Sequence, residues 1–208
     1  VFCSHCTYYL KGNPEQYLPQ NKTKHLYQDG NITFGPTCTD DYWKKLPPFF
    51  NDQNDGRSRW RDRFDEPNKA QKMIKNYYRL ISGVDMTCGK ILDELDRQNL
   101  TDSTLIIFTT DNGTASGASV FNAEMRGKKG SEYDGGHRVP FFVHWPNGNM
   151  NSASDVKPIT HAVDVLPTLM ELCNVTSEKE RYFDGKSIAS LLRGETNSNI
   201  DWDNRSLV

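Results

Sequence analysis

Long apolar runs are missing from this sequence. The longest, Leu105-Ile106-Ile107-Phe108, has four residues, whereas a membrane-spanning helix needs about 20, so no membrane span is expected. An excess of positive charge is missing too. Lys and Arg number 25 against 27 Asp and Glu, a net charge of -2. With no broad basic face, nucleic acid is not an expected partner. No signal peptide is visible. Cysteine is scarce and odd in number, and five cannot all pair within the chain. Cys3-x-x-Cys6 has no second pair at zinc-finger spacing and no βαβ pattern around it, which argues against a zinc or redox centre. What is present is the composition of a globular, rather polar protein, 36% hydrophobic and 25% charged over 208 residues. That length holds one domain with a real core, or one and a half.

Asparagine carries a signal of its own. Six Asn-x-Ser/Thr sequons, at Asn21, Asn31, Asn99, Asn112, Asn174 and Asn204, exceed what composition gives by chance. They point to an extracytoplasmic glycoprotein, whether secreted, lysosomal or periplasmic.

Along the chain, residues 1–66 are rich in Pro, Asn, Asp and aromatics and show little periodicity, the pattern of long loops with short elements. Within them Arg57-Ser-Arg59-Trp60-Arg61-Asp62-Arg63-Phe64 alternates cations with aromatics. It reads as a solvated face neutralised by Asp55, Asp62, Asp65 and Glu66. Residues 67–99 read as a helix. Ile74, Tyr77, Tyr78, Ile81, Cys88, Ile91, Leu92 and Leu95 recur at three- and four-residue spacing, and Pro67 suits the first turn. Asp85 falls on or near that apolar face and is expected to be a hydrogen-bonded structural carboxylate. A buried strand covers Leu105 to Phe108, and a second strand covers Val139 to Trp145 with Pro140 at its start. Asp164 is a candidate N-cap for a helix over 165–173, with His161 as a surface or capping residue. A short helix over 187–193 stops at Gly194. Strands alternating with helices define an α/β fold with a mostly parallel sheet.

The densest chemistry lies between Thr104 and Pro146. The first strand ends in Asp111-Asn112-Gly113, at the carboxyl end where α/β sheets bind ligands. A carboxylate beside an amide oxygen suits a hard cation, Ca2+ or Mg2+, and Gly113 lets the chain turn away. Gly127-Lys128-Lys129-Gly130 follows, with Lys129 able to present a compact positive charge to an anion. At 4 Å such a pair is worth about 4 kcal/mol at a protein-like dielectric against about 1 in water, so it matters only in a partly dry pocket. Tyr133-Asp134-Gly135-Gly136-His137-Arg138-Val139-Pro140 then leads into the second strand. Taken singly, each piece is also an ordinary turn or solvated loop.

In this order the pieces resemble the sulfatase family of the alkaline phosphatase superfamily. Its members carry a strand ending in DNG, a lysine-glycine loop, and a Tyr-acidic-Gly-Gly-x-Arg-x-Pro segment leading to a strand that ends in Trp-Pro. Further matches are Asn76 to Gly89 with the family's long helix and Asp164-Val165-Leu166-Pro167-Thr168-Leu169 with a helix start. Phe183-Asp184-Gly185-Lys186-Ser187-Ile188 followed by Leu191-Leu192-Arg193-Gly194 matches an ending. The likeness is close over residues 67–194 and loose over 1–66. It implies an alkaline-phosphatase-like α/β fold with a mostly parallel sheet flanked by helices. Residues 1–66 would be a loop-rich segment, 67–150 the core with its metal and sulfate loop, and 151–208 a small C-terminal helical region. It also implies hydrolysis of sulfate esters of a sugar or aryl alcohol. Asp111 and Asn112 would hold Ca2+, with Mg2+ the second choice. Lys129 would stabilise charge on the sulfate, and Lys128 replaces it if the register is off by one. His5 is the candidate for proton transfer, His137 sits at the rim among the substrate-binding residues, and Arg138 anchors the loop by an ion pair.

One departure stands out. The family works through a formylglycine made from a Cys- or Ser-x-Pro-x-Arg motif, and no such motif occurs here. The N-terminal acidic pair that adds metal ligands also lacks a counterpart. The chain opens at Val1-Phe2-Cys3 and is therefore read as incomplete, a C-terminal portion whose partner is the N-terminal half of the same protein, bearing the nucleophile. Asp111 and Asn112 offer at most three oxygens, against the roughly six to eight that Ca2+ takes. Two rival expectations are a phosphate-ester hydrolase of the same superfamily and a non-catalytic fragment that binds sulfated glycans through Arg57 to Arg63.

Overall fold

The computed structural model describes residues 17–33, 44–45, 66–114, 118, 121–151, 153–177, 182–195 and 200–206. Cys3, His5, Cys6, Cys38 and the Arg57 to Arg63 cluster lie outside them. The principal elements among the described residues are α1 (Pro67–Arg97), β1 (Ile106–Thr109), the single turn α2 (Asp134–His137), β2 (Phe141–His144), α3 (Val165–Leu172) and α4 (Ala189–Arg193). The chain divides into two compact units. One comprises Val1–Glu94 with Thr109–Phe141, the other Leu95–Phe108 with Phe142–Val208.

In the first unit α1 buries Ala70, Met73 and Ile74, an i, i+3, i+4 set on one face. The described stretch 17–33 lies along the first half of this helix and is tied to it by polar and aromatic contacts. Gln71 reads the backbone of Ile32 in both directions, accepting from its N–H at 2.9 Å and donating to its carbonyl at 2.7 Å. Arg79 donates to the Leu26 carbonyl at 2.8 Å. Tyr17 meets Tyr77 edge-on with centroids 5.6 Å apart, and Tyr27 meets Tyr78 at 5.5 Å. Farther along, the apolar stripe expected to be buried is not: Ile81, Ile91 and Leu92 are exposed. The periodicity reports which face is apolar, whereas burial needs a neighbouring layer. The bonds from the stretch 17–33 to α1 run from Gln71 to Ser82. Asp85 is likewise exposed.

In the second unit β1 pairs with β2 in a two-stranded sheet, with the Phe108 and Phe142 rings 6.3 Å apart. The expectation of a buried β1 is corrected here. Ile106 and Ile107 are half-buried and Phe108 is exposed, because full burial of a strand needs a covering layer on each face. Asp164 also departs from its expected role. It makes no side-chain cap bond to α3. Its carboxylate instead shares a capping box with His161 around the 3-10 turn Ala162–Asp164. It also accepts two bonds from Arg205, at 2.6 and 2.8 Å, and one from the Lys186 N–H at 2.8 Å. The Thr168 hydroxyl donates to the Asp164 carbonyl at 2.6 Å and accepts from the Ile188 N–H at 2.9 Å, joining α3 to the approach of α4.

Three helices end in the same way. After α1 the N–H groups of Leu100 and Asn99 reach back to the carbonyls of Leu95 and Asp96; after α3 those of Val175 and Asn174 reach Met170 and Glu171; after α4 those of Glu195 and Gly194 reach Ser190 and Leu191. This is the Schellman pattern, which requires a left-handed residue just past the helix. Asn99, Asn174 and Gly194 take that position with φ of 56°, 53° and 69°.

Candidate functional site

The three motifs between Asp111 and Arg138 are held together by backbone bonds within the first unit. The Gly113 N–H donates to the Gly136 carbonyl at 2.9 Å, which joins the DNG turn to the Gly-Gly segment. The Lys129 N–H donates to the Thr114 carbonyl at 3.0 Å, which fastens the lysine loop to the chain just past that turn. The Gly135 N–H donates to the Arg126 carbonyl at 2.7 Å, closing the set. Tyr77 of α1 adds a bond at 2.8 Å to the Thr114 hydroxyl, so the long helix supports the same point.

Backbones approach this closely only where side chains are absent. A Cβ on Gly113 would strike the Gly135 carbonyl, one on Gly135 the Gly127 carbonyl, and one on Gly136 the Ser131 carbonyl. The lysine loop turns at Gly127, whose φ of 83° only glycine adopts without strain. The loop is then pinned by Ser131. Its hydroxyl accepts from the Lys128 N–H at 3.0 Å, while its own N–H donates to the Lys128 carbonyl at 2.9 Å.

Asn122 clamps the far side of the loop, a role its place in the sequence did not reveal. Its amide donates to the carbonyls of Met125 and Gly127 at 2.8 and 2.7 Å. Between Asn122 and Met125 the chain turns through Ala123 and Glu124, both left-handed at φ of 48° and 61°. Such a conformation costs a non-glycine residue roughly 1–2 kcal/mol. Arg126 stacks its guanidinium 3.7 Å from the centre of the Tyr133 ring, a cation–π contact.

The candidate residues fall on this frame unequally. Asp111 is exposed at the turn. The side-chain oxygen of Asn112 is buried and has no hydrogen-bond partner among the described residues. A buried acceptor without a donor calls for an explanation, and a cation beside Asp111 is one. Together the two residues present hard oxygen donors, the donor type that Ca2+ and Mg2+ take. Among the described residues no group of three or more His, Cys, Asp or Glu gathers to complete such a site. Lys128 and Lys129 are exposed on the pinned loop. His137 is exposed at the end of α2, directly after Gly136. The Arg138 guanidinium lies 3.9 Å from the Asp134 carboxylate with both groups open to solvent, a pairing that contributes little, about 0–1 kcal/mol.

Against known proteins, the sulfatase family model matches residues 20–175, and the chain belongs to that family. An uncharacterized sulfatase of Escherichia coli (strain K12), YdeN, is 31% identical over 140 residues, which is 65% of this chain and 25% of that protein. The steryl-sulfatase of Mus musculus is 32% identical over 143 residues, 64% of this chain and 22% of its own length. This chain thus spans about a quarter of the length of these relatives. Among solved structures, the phosphonate monoester hydrolase of Agrobacterium radiobacter aligns with a TM-score of 0.50 at 28% identity, over 64% of this chain and 25% of that one. The structure of BT4656 in complex with its substrate D-glucosamine-2-N,6-O-disulfate aligns with a TM-score of 0.54 at 23% identity, over 80% and 35%. The fold is the alkaline-phosphatase-like α/β fold of these enzymes, present here in part.

Proposed function

We propose that this chain supplies the metal- and sulfate-binding portion of a sulfuric ester hydrolase that releases sulfate from a sugar or aryl alcohol. The observation that carries this reading is the buried, unpartnered oxygen of Asn112, set beside Asp111 on the interlocked glycine frame. Asp111 and Asn112 would hold a divalent metal ion, Ca2+ by preference, whose charge would polarise the sulfate oxygens. Lys129, on the loop fastened to Thr114, would lie against the sulfate and stabilise charge on the departing ester, with Lys128 as its neighbour. His137, one residue beyond the Gly113–Gly136 bond, would contact the substrate from the rim. Proton transfer is assigned to His5, outside the described residues. The formylglycine nucleophile would come from sequence outside this chain, which contains no Cys- or Ser-x-Pro-x-Arg motif. The sequons accord with an extracytoplasmic setting.

The similarity to a phosphonate monoester hydrolase supports a second reading, hydrolysis of phosphate or phosphonate esters. Protein from the complete open reading frame, assayed on nitrophenyl sulfate and on nitrophenyl phosphate and phosphonate, separates the two. A kcat/KM higher on the sulfate is the expected result. Preference for either phosphorus ester would replace the sulfatase reading with the second one.

A further inference from the structure

We propose that Asn99 is an N-glycosylation site, carrying an oligosaccharide on its side-chain amide. The argument is independent of the catalytic reading. Asn99 opens the sequon Asn99-Leu100-Thr101, and it is exposed just past the end of α1. One residue of this tripeptide is not the one the fold alone would select. Asn99 holds the left-handed helix-ending position with φ of 56°, a place that Asn takes as well as Gly, so the fold accounts for it. The Thr101 hydroxyl is buried with no hydrogen-bond partner among the described residues. Valine would fill the same shape without leaving a polar atom stranded. The fold thus gains nothing from the hydroxyl at 101, and the sequon needs it.

The other described sequons lack this combination. At Asn21 the Thr23 hydroxyl is used, donating to the Gln20 carbonyl. The Asn204 amide donates to the Asp201 carboxylate at 2.8 Å. Asn112 has its oxygen buried and Gly113 packed against Gly135. Around Asn31 the following residue, Ile32, is bonded on both sides to Gln71. Asn174 shares the left-handed helix end, but Thr176 is exposed, so its hydroxyl needs no explanation.

The modification balances as a simple displacement. The Asn99 amide nitrogen bonds to C1 of the reducing-end sugar of a lipid-linked oligosaccharyl pyrophosphate. The bond from C1 to the pyrophosphate oxygen breaks, its electron pair leaves with the lipid pyrophosphate, and one amide proton is lost to solvent. No oxidant or reductant takes part.

The test expresses the complete reading frame in a secreting eukaryotic cell line. Glycopeptides are then released enzymatically in heavy-oxygen water, which marks each formerly glycosylated Asn as labelled Asp. The Asn99 peptide is expected to carry the label. Asn99→Gly and Thr101→Val should each lose one glycan and melt no lower than the parent, while Thr101→Ser should keep it. Recovery of the Asn99 peptide unmodified, from secreted or retained protein, overturns the proposal. So does a lower melting point for Thr101→Val, which would give the hydroxyl a structural purpose.

Discussion

Asn112 keeps its side-chain oxygen out of water with no partner among the described residues, an arrangement that costs roughly 1–3 kcal/mol when left unmet. Asn112→Leu should therefore leave the metal-free protein within about 0.5 kcal/mol of its parent stability, or raise it. Ca2+ should raise the melting temperature of the parent and leave that of this variant unchanged, and paired thermal melts with and without Ca2+ check both halves. Asp164 presents the opposite case, a buried acceptor whose bonds are all made. Burial alone would raise its pKa. The Arg205 guanidinium, the N–H groups of Lys186 and His161 and the positive charge beside it outweigh that and hold the carboxyl below its ordinary 3.8. A depressed carboxylate contributes stability that is fully present above pH 3.8 and fades as pH falls through the folded value. Arg205→Met should cost about 3–5 kcal/mol near neutrality by leaving a buried charge uncompensated. It should also move acid unfolding to higher pH, which denaturant melts across a pH series would show. The sequence singled out Asp164 but assigned it to a helix cap. Its partner lies 41 residues away, and no local spacing announces such a pair.

Among the elements, the helix of residues 67–97 and the two short strands were legible because periodicity and apolar runs are local properties. Burial was not legible, since it depends on what covers a face. The order of the DNG turn, the lysine loop and the Gly-Gly segment could be read directly. That Gly113 bonds Gly136, or that Asn122 clamps Gly127, could not, because the contact is a fact of backbone proximity. Gly136→Ala tests whether that proximity matters. A Cβ there must displace the Ser131 carbonyl, a rigid neighbour, and overpacking of this kind costs about 1–3 kcal/mol. The predicted outcome is a destabilised loop and a larger fall in kcat/KM than in stability. Equal activity and an unchanged melting point would show that the frame tolerates loosening.

At the scale of the molecule, this chain spans about a quarter of the length of the relatives it matches. Among the described residues large apolar side chains, including Ile81, Ile91, Phe142 and Leu166, are exposed. Asp111 and Asn112 by themselves offer at most three oxygens against the roughly six to eight that Ca2+ takes, and the isolated chain should bind Ca2+ weakly. Titration calorimetry showing a tight, one-to-one site would contradict this. The most direct test of the whole account is the kcat/KM of the complete-reading-frame protein on nitrophenyl sulfate, compared with its Lys129→Ala variant. Loss of a group that stabilises developing charge predicts a fall of about 10²-fold or more with little change in melting temperature. Unchanged turnover would contradict the assignment of this loop to the sulfate.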